Sequence, residues 1–328
     1  MTTSRLNSRP ALSAYLAEYG LLVMLVVLMG IFTALNPRFL TFANFTTVLE
    51  QNAPLFVISV GMTFAIISRN IDLSPGSLIA LCGTIIGLVF TSTGSIVLGI
   101  LAGFVAAILI ELFNGFLIAR MNINPLIVTL AAWIWARGLA VSLTGANSIV
   151  VNDPLMQFLG SDLILGISPM IILIVVAYVF GAFMLNRTKL GRYTYAMGSD
   201  ERATIQAGVD TTRYKLLMFA MFGVLVGVAS VIMVSRLGAA APDAAYGLEL
   251  DAIVAVIIGG NPFQGGEGNL RRTLIGALFI AVLNNGLANL GMLDSQIAVY
   301  KGTAILLALL FGVVGVRLLK GQWAAVRG

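Results

Sequence analysis

Long, uncharged apolar runs separated by short polar joints decide what this chain can fold into. A helix that crosses the hydrocarbon core of a bilayer needs about 20 apolar residues, and windows of that kind recur roughly ten times here. Their cores fall near 16–35, 48–68, 72–91, 95–118, 125–144, 167–185, 215–235, 248–261, 273–291 and 296–316. The eighth is the shortest: LDAIVAVIIGG runs into glycines and Pro262. Charged residues make up 10% of the chain and hydrophobic ones 59%, whereas a soluble domain carries about 25% charged residues. The surface solvent for much of this chain is therefore lipid. The sequence predicts an all-α integral membrane protein, one transmembrane domain over residues 1–328.

Lys and Arg placement sets the sidedness. With the N-terminus in the cytoplasm, 15 of the 19 basic residues fall on that side, among them Arg5, Arg9, Arg69, Arg120, Arg271, Arg272, Arg317, Lys320 and Arg327. Arg38, Arg137, Arg236 and Lys301 are the exceptions. Ten spans then put both termini inside, with a cytoplasmic N-terminal segment at 1–15 and a cytoplasmic loop at 186–215. The first apolar run shows no small-residue cleavage site and reads as a retained span. The net charge of +5 is thus a topology signal, and nucleic acid is not an expected partner.

Chemistry finds little footing. The chain has no histidine and one cysteine, Cys82, inside an apolar run. That removes the commonest general base and any disulfide framework. No metal cluster or cofactor motif is present. GGNPFQGGEGNL, from Gly259, lacks the Lys–Ser/Thr ending of a phosphate loop; its glycines instead suit a helix break that turns close to another backbone.

Two segments echo one another. NIDLSPGSLIALCGTIIG starts the third span at Asn70, and GLELDAIVAVIIGG starts the eighth at Gly247. Downstream, FNGFLIAR is echoed by NNGLANLG. The pairing sets spans 2–5 against spans 7–10 in opposite directions, an inverted repeat of the kind transporters use. Asp72, Glu249 and Asp251 lie at helix starts, where unpaired N–H groups favour acids; each is either a cap or part of a gate. Asn114, Asn284 and Asn285 are amides within spans, serving either as interhelical glue or as solute contacts. Glu111, Arg137 and Lys301 are expected near an interface, their charged ends snorkelling to water.

The most polar stretch is LGRYTYAMGSDERATIQAGVDTTRYK, from Leu190. Ser199 and Asp200 are good caps, and ERATIQAG supports about two turns before Gly208. GRYTYAMG leads in, with tyrosines that can anchor at the interface. A short helix on a cytoplasmic loop suits docking into a groove on another protein.

The chain resembles the transmembrane permease subunit of bacterial sugar-type ABC importers, the ribose-permease-like family, from about Pro37 to Lys320. NIDLSPGSL, NGFLIARMNINPLIVTL with RGLAV, the stretch from Leu190, and LELDAIVAVIIGGNPFQGGEGN followed by LNNGL carry the likeness. The resemblance implies that Gly198, Ser199, Asp200, Ala203, Gly208 and Val209 form a coupling segment on a cytoplasmic ABC ATPase. It further implies a periplasmic sugar-binding protein, a second permease copy, and the bacterial inner membrane. Arg69 and Asn70 stand where the family usually has two glycines, Pro75 where it commonly has valine, and Asp200 where it commonly has asparagine. The resulting expectation is ATP-driven import of a monosaccharide or related polyol, with hydrolysis on a separate subunit. Import of branched-chain amino acids or nucleosides and an ion-coupled carrier are the alternatives; a membrane enzyme is disfavoured.

Overall fold

The computed structural model describes residues 12–161, 167–293 and 295–307. The outermost basic residues and the end of the tenth expected span lie outside them. In chain order the helices are α1 (Leu12–Leu35), α2 (Phe42–Gln51), α3 (Ala53–Ile67), α4 (Pro75–Thr93), α5 (Ile96–Arg120), α6 (Pro125–Thr144), α7 (Pro154–Ser161), α8 (Pro169–Arg187), α9 (Lys189–Ser199), α10 (Glu201–Gln206), α11 (Thr211–Leu237), α12 (Leu248–Ile258) and α13 (Leu270–Asn289). Residues 295–307 are also helical. Two short strands, β1 (Ile149–Val150) and β2 (Ala239–Ala240), pair antiparallel with Ile149 opposite Ala240.

Among the described residues, five helices are long and apolar enough to cross a bilayer: α4, α5, α6, α8 and α11. A sixth span forms if α2 and α3, bent by 54°, count as one. Pro54, near the start of α3, has no N–H to give the preceding turn, which suits a break there. Helix α1, with 24 residues, is also long and apolar, whereas two of the other expected spans are shorter or more polar. Helix α12 has 11 residues, about 16 Å at 1.5 Å per residue, half a bilayer. Helix α13 dilutes its apolar run with Arg271, Arg272, Asn284 and Asn285.

The chain divides into two compact units, residues 42–277 and residues 1–41 with 278–328. In the larger, α11 packs on α5, α3, α4 and α7. Small residues let the backbones approach: a Cβ on Gly223 of α11 would lie 2.7 Å from Ile108 Cα of α5. Helix α3 is buried along its whole length. Helices α5, α6 and α8 instead turn large apolar side chains outward, such as Leu101, Val105, Ile127, Ile134, Val176 and Val179. So much exposed aliphatic surface suits lipid rather than water. In the smaller unit, Gly286 of α13 packs on the Phe32 ring of α1.

Opposite ends of the larger unit are set by α11, which spans about 40 Å. Helix α10 precedes its start; β2 follows its end and pairs with β1 after α6. From β2 the chain turns inward. A Cβ on Gly87 of α4 would meet Ala240, and one on Gly76 would meet Ala245 O and Glu249. Those glycines are about 16 Å apart along α4. Helix α12 thus begins deep in the unit, beside the first turn of α4.

Candidate functional site

The starts of α4 and α12 meet in a buried polar group. On one flank, Asp72 Oδ1 accepts the Ser74 N–H at 2.7 Å and the Ser74 hydroxyl at 2.6 Å. These bonds brace the entry to α4, whose first amides have no partners of their own. Ser74 Oγ lies 3.5 Å from Glu111 Oε1 of α5. Asp72 and Glu111 are wholly buried, and Asn114, nearly a turn beyond Glu111, is 1% exposed. Asp72 Oδ2, Glu111 Oε2 and Asn114 Nδ2 are buried with no hydrogen-bond partner. Glu111 therefore does not snorkel: it lies where α4 and α5 pack, and α4 denies it a path to water.

On the other flank, Glu249 Oε1 accepts the Trp133 indole N–H of α6 at 3.0 Å. Arg137, one turn further along α6, donates from Nη1 to Pro242 O and Ala244 O, each at 2.8 Å. Its guanidinium lies 5.8 Å from the Tyr246 ring centre, and the Trp133 and Tyr246 rings are 6.4 Å apart. Arg137 likewise does not snorkel, because backbone carbonyls of the inward-turning segment hold it. Glu249 Oε2 and Arg137 Nε and Nη2 are buried without partners. Asp251 shares the first turn of α12, half-buried.

Asp72, Asn114 and Glu249 thus lie along the early turns of α4 and the elements packed on them, while Asn284 and Asn285 belong to the smaller unit. There Asn285 is buried and accepts the Asn289 amide at 3.0 Å. Lys301 is half-buried on the helical stretch 295–307. Among the described residues no group of three or more His, Cys, Asp or Glu could hold a metal ion.

The polar stretch from Leu190 forms a second site. Its first part is not a lead-in but helix α9, and the tyrosines pack on the protein: Tyr193 on Tyr214 at 4.4 Å between ring centres, Tyr195 donating to Gly268 O at 2.7 Å. Burial pushes the Tyr195 phenol above its ordinary pKa. Asp200 caps α10, Oδ1 accepting the Ala203 N–H at 3.0 Å, and Gly208 ends it at φ +80°. Ser199, Asp200, Ala203 and Gly208 are exposed, and Val209 is half-buried. Gly198 faces inward, where a Cβ would collide with Ile67 O and Gly266 N. Lys215 of α11 pairs with Glu201 of α10 at 2.6 Å.

The glycine-rich loop turns close to other backbones, as its composition predicts. Gly266 N donates to Ile67 O at 2.8 Å. Arg69, at φ +61°, donates from Nε to Gln264 O at 2.5 Å and from Nη2 to Ser199 O at 3.4 Å. The ends of α3 and α9 and this loop form one junction.

Sequence reasoning missed Ser74, Trp133 and Tyr246 in the deep group and Arg69 as the link at the junction. Trp133 and Arg137 were findable as an i, i+4 pair on one helix face. Tyr246 offered no such signal.

A family model described as the branched-chain amino acid transport system / permease component matches residues 44–314. The chain is similar to the ribose import permease protein RbsC of Escherichia coli (strain K12), 34% identical over 94% of this chain and 98% of that protein. It is similar to the RbsC of Bacillus subtilis (strain 168), 38% identical over 89% of this chain and 92% of that one. The L-arabinose ABC transporter permease protein AraH of Azospirillum brasilense is 32% identical over 89% and 86%. No solved structure matches.

Proposed function

We propose a function that starts from kinship: the chain belongs to the family of the branched-chain amino acid transport system permease component. It is the membrane subunit of an ATP-driven importer of a monosaccharide or related polyol. The observation that carries this reading is similarity to ribose import permeases over nearly the whole chain. Branched-chain amino acids or nucleosides and an ion-coupled carrier remain the rivals to test.

About ten spans lie in the bacterial inner membrane, both termini cytoplasmic, spans 2–5 inverted against spans 7–10. Three observations support the inversion. Helices α4 and α12 both begin in the interior, reached from opposite ends of α11. Their first turns touch at Gly76 and Glu249. The echoed Asn–Gly pairs have like surroundings: Gly115 packs on Phe219 and Gly286 on Phe32, each after a buried asparagine. In this reading Asp72, Asn114, Glu249 and Asp251 of the larger unit, and Asn284 and Asn285 of the smaller one, are each candidates for the translocation pathway or gate.

Coupling occurs through residues 186–215. Ser199, Asp200, Ala203, Gly208 and Val209 meet a cytoplasmic ATPase subunit, and Gly198 seats the helix on the junction. A periplasmic binding protein delivers solute, a second permease copy completes the path, and this chain performs no chemistry. Asp200→Arg combined with Gly208→Trp removes the cap and crowds the docking face. Co-purification of the ATPase should be lost in that variant, with the permease still in the membrane. Solute uptake that persists after every partner ATPase is deleted would refute the reading.

A further inference from the structure

We propose that Trp133, Arg137, Tyr246 and Glu249 form a subsite that binds one end of a neutral polyhydroxylated solute. The proposal rests on the permease reading and names the residues that would meet its cargo.

The four side chains come from the middle of α6 and from the segment that leads from β2 into α12. Trp133 and Arg137 lie about 12 and 18 Å along α6 from Pro125. Tyr246 and Glu249 lie where the chain turns from β2 into α12. A site at the start of an interrupted helix, well inside the bilayer, is where carriers place their cargo. It is also far from α10: the segment that carries Tyr246 leaves from the opposite end of α11. With α10 in the cytoplasm, the subsite is approached from the side where solute is delivered.

The unspent hydrogen-bonding capacity describes the ligand. Arg137 has used Nη1 on two carbonyls; Nε and Nη2 form one edge of the guanidinium and have no partner. Two parallel donors suit two neighbouring hydroxyl oxygens. Glu249 has used Oε1 on Trp133, and Oε2 is without a partner, an acceptor for a hydroxyl proton. An ammonium group would want several acceptors, and one oxygen offers too few. Tyr246 is 75% exposed. A phenol so open within a bilayer would strand its hydroxyl in lipid, so its ring lines a wet path or a second copy. With Trp133 beside it, it offers an apolar face against which the C–H face of a sugar ring packs.

Purified full-length protein in lipid nanodiscs, titrated with D-ribose, L-arabinose, D-galactose, myo-inositol and L-leucine, tests this through tryptophan fluorescence. A saturable change with at least one of the polyols and none with L-leucine is expected. Tyr246→Ala, at an exposed position, should raise the half-saturating concentration on the order of tenfold, and Arg137→Lys likewise. Should Arg137→Lys fail to fold, Tyr246→Ala decides alone. An unchanged half-saturation in Tyr246→Ala, a response to L-leucine only, or no saturable response to any polyol overturns the subsite. ATPase-dependent uptake of one of these polyols by the complete transporter, alongside such a result, removes the subsite and leaves the permease reading. Uptake of L-leucine and of no polyol removes both.

Discussion

Glu111 and Asp72 place two carboxyl groups in one buried pocket of side chains, bridged by a single serine hydroxyl. Among the described residues no ion pair reaches either carboxyl group, so no cation offsets them. Replacing one of two crowded carboxyl groups by an amide of the same shape should therefore be tolerated. Glu111→Gln is expected to match or exceed the parent in thermal unfolding in nanodiscs. Glu111→Ala should cost about 2–4 kcal/mol, because it leaves a cavity and strands its polar neighbours. Polar residues in apolar runs are conspicuous in any sequence, so Asp72, Asn114 and Glu249 could be marked in advance. What they touch could not. Glu111 and Arg137 were expected to reach for water, as long charged side chains near an interface do; their neighbours in space gave them hydrogen-bonding partners instead.

Among the elements, glycine spacing separates helices that touch from helices that face outward. Gly223 of α11 has the α5 backbone against it, whereas a Cβ placed on Gly138 of α6 would meet nothing within 4 Å. Gly223→Leu should lower stability by about 1–3 kcal/mol, as overpacking does, while Gly138→Ala should leave it within about 0.5 kcal/mol. The start and stop of α10 were legible at Asp200 and Gly208 because capping is local chemistry. Helix α9 was not: GRYTYAMG has glycines and aromatics that read as a connector, and burial of Leu190, Thr194 and Met197 overrides that weak propensity. Arg69 belongs at this scale too. Arg69→Gly suits the left-handed backbone there but removes the link between Gln264 and Ser199. The expected outcome is an unchanged unfolding temperature with more ATP hydrolysed per solute moved by the assembled transporter.

For the whole molecule, sidedness is the boldest expectation and the simplest to check. Ser199 is exposed, and the native Cys82 is wholly buried, so Ser199→Cys supplies one reactive thiol. A membrane-impermeant reagent should leave it unlabelled in intact cells and label it in inside-out vesicles; the reverse pattern refutes the topology. Hydropathy, caps and motifs are properties of a few neighbouring residues, and they were enough to establish that the chain is helical, lives in lipid and has the motifs of a permease. They could not establish that α12 is a half-length helix, that its first turn meets that of α4, or that Trp133, Arg137, Tyr246 and Glu249 share a site. Those outcomes came from the folded arrangement. They depend on where the backbone breaks and which distant segments then pack together, and no count along the chain contains that distance.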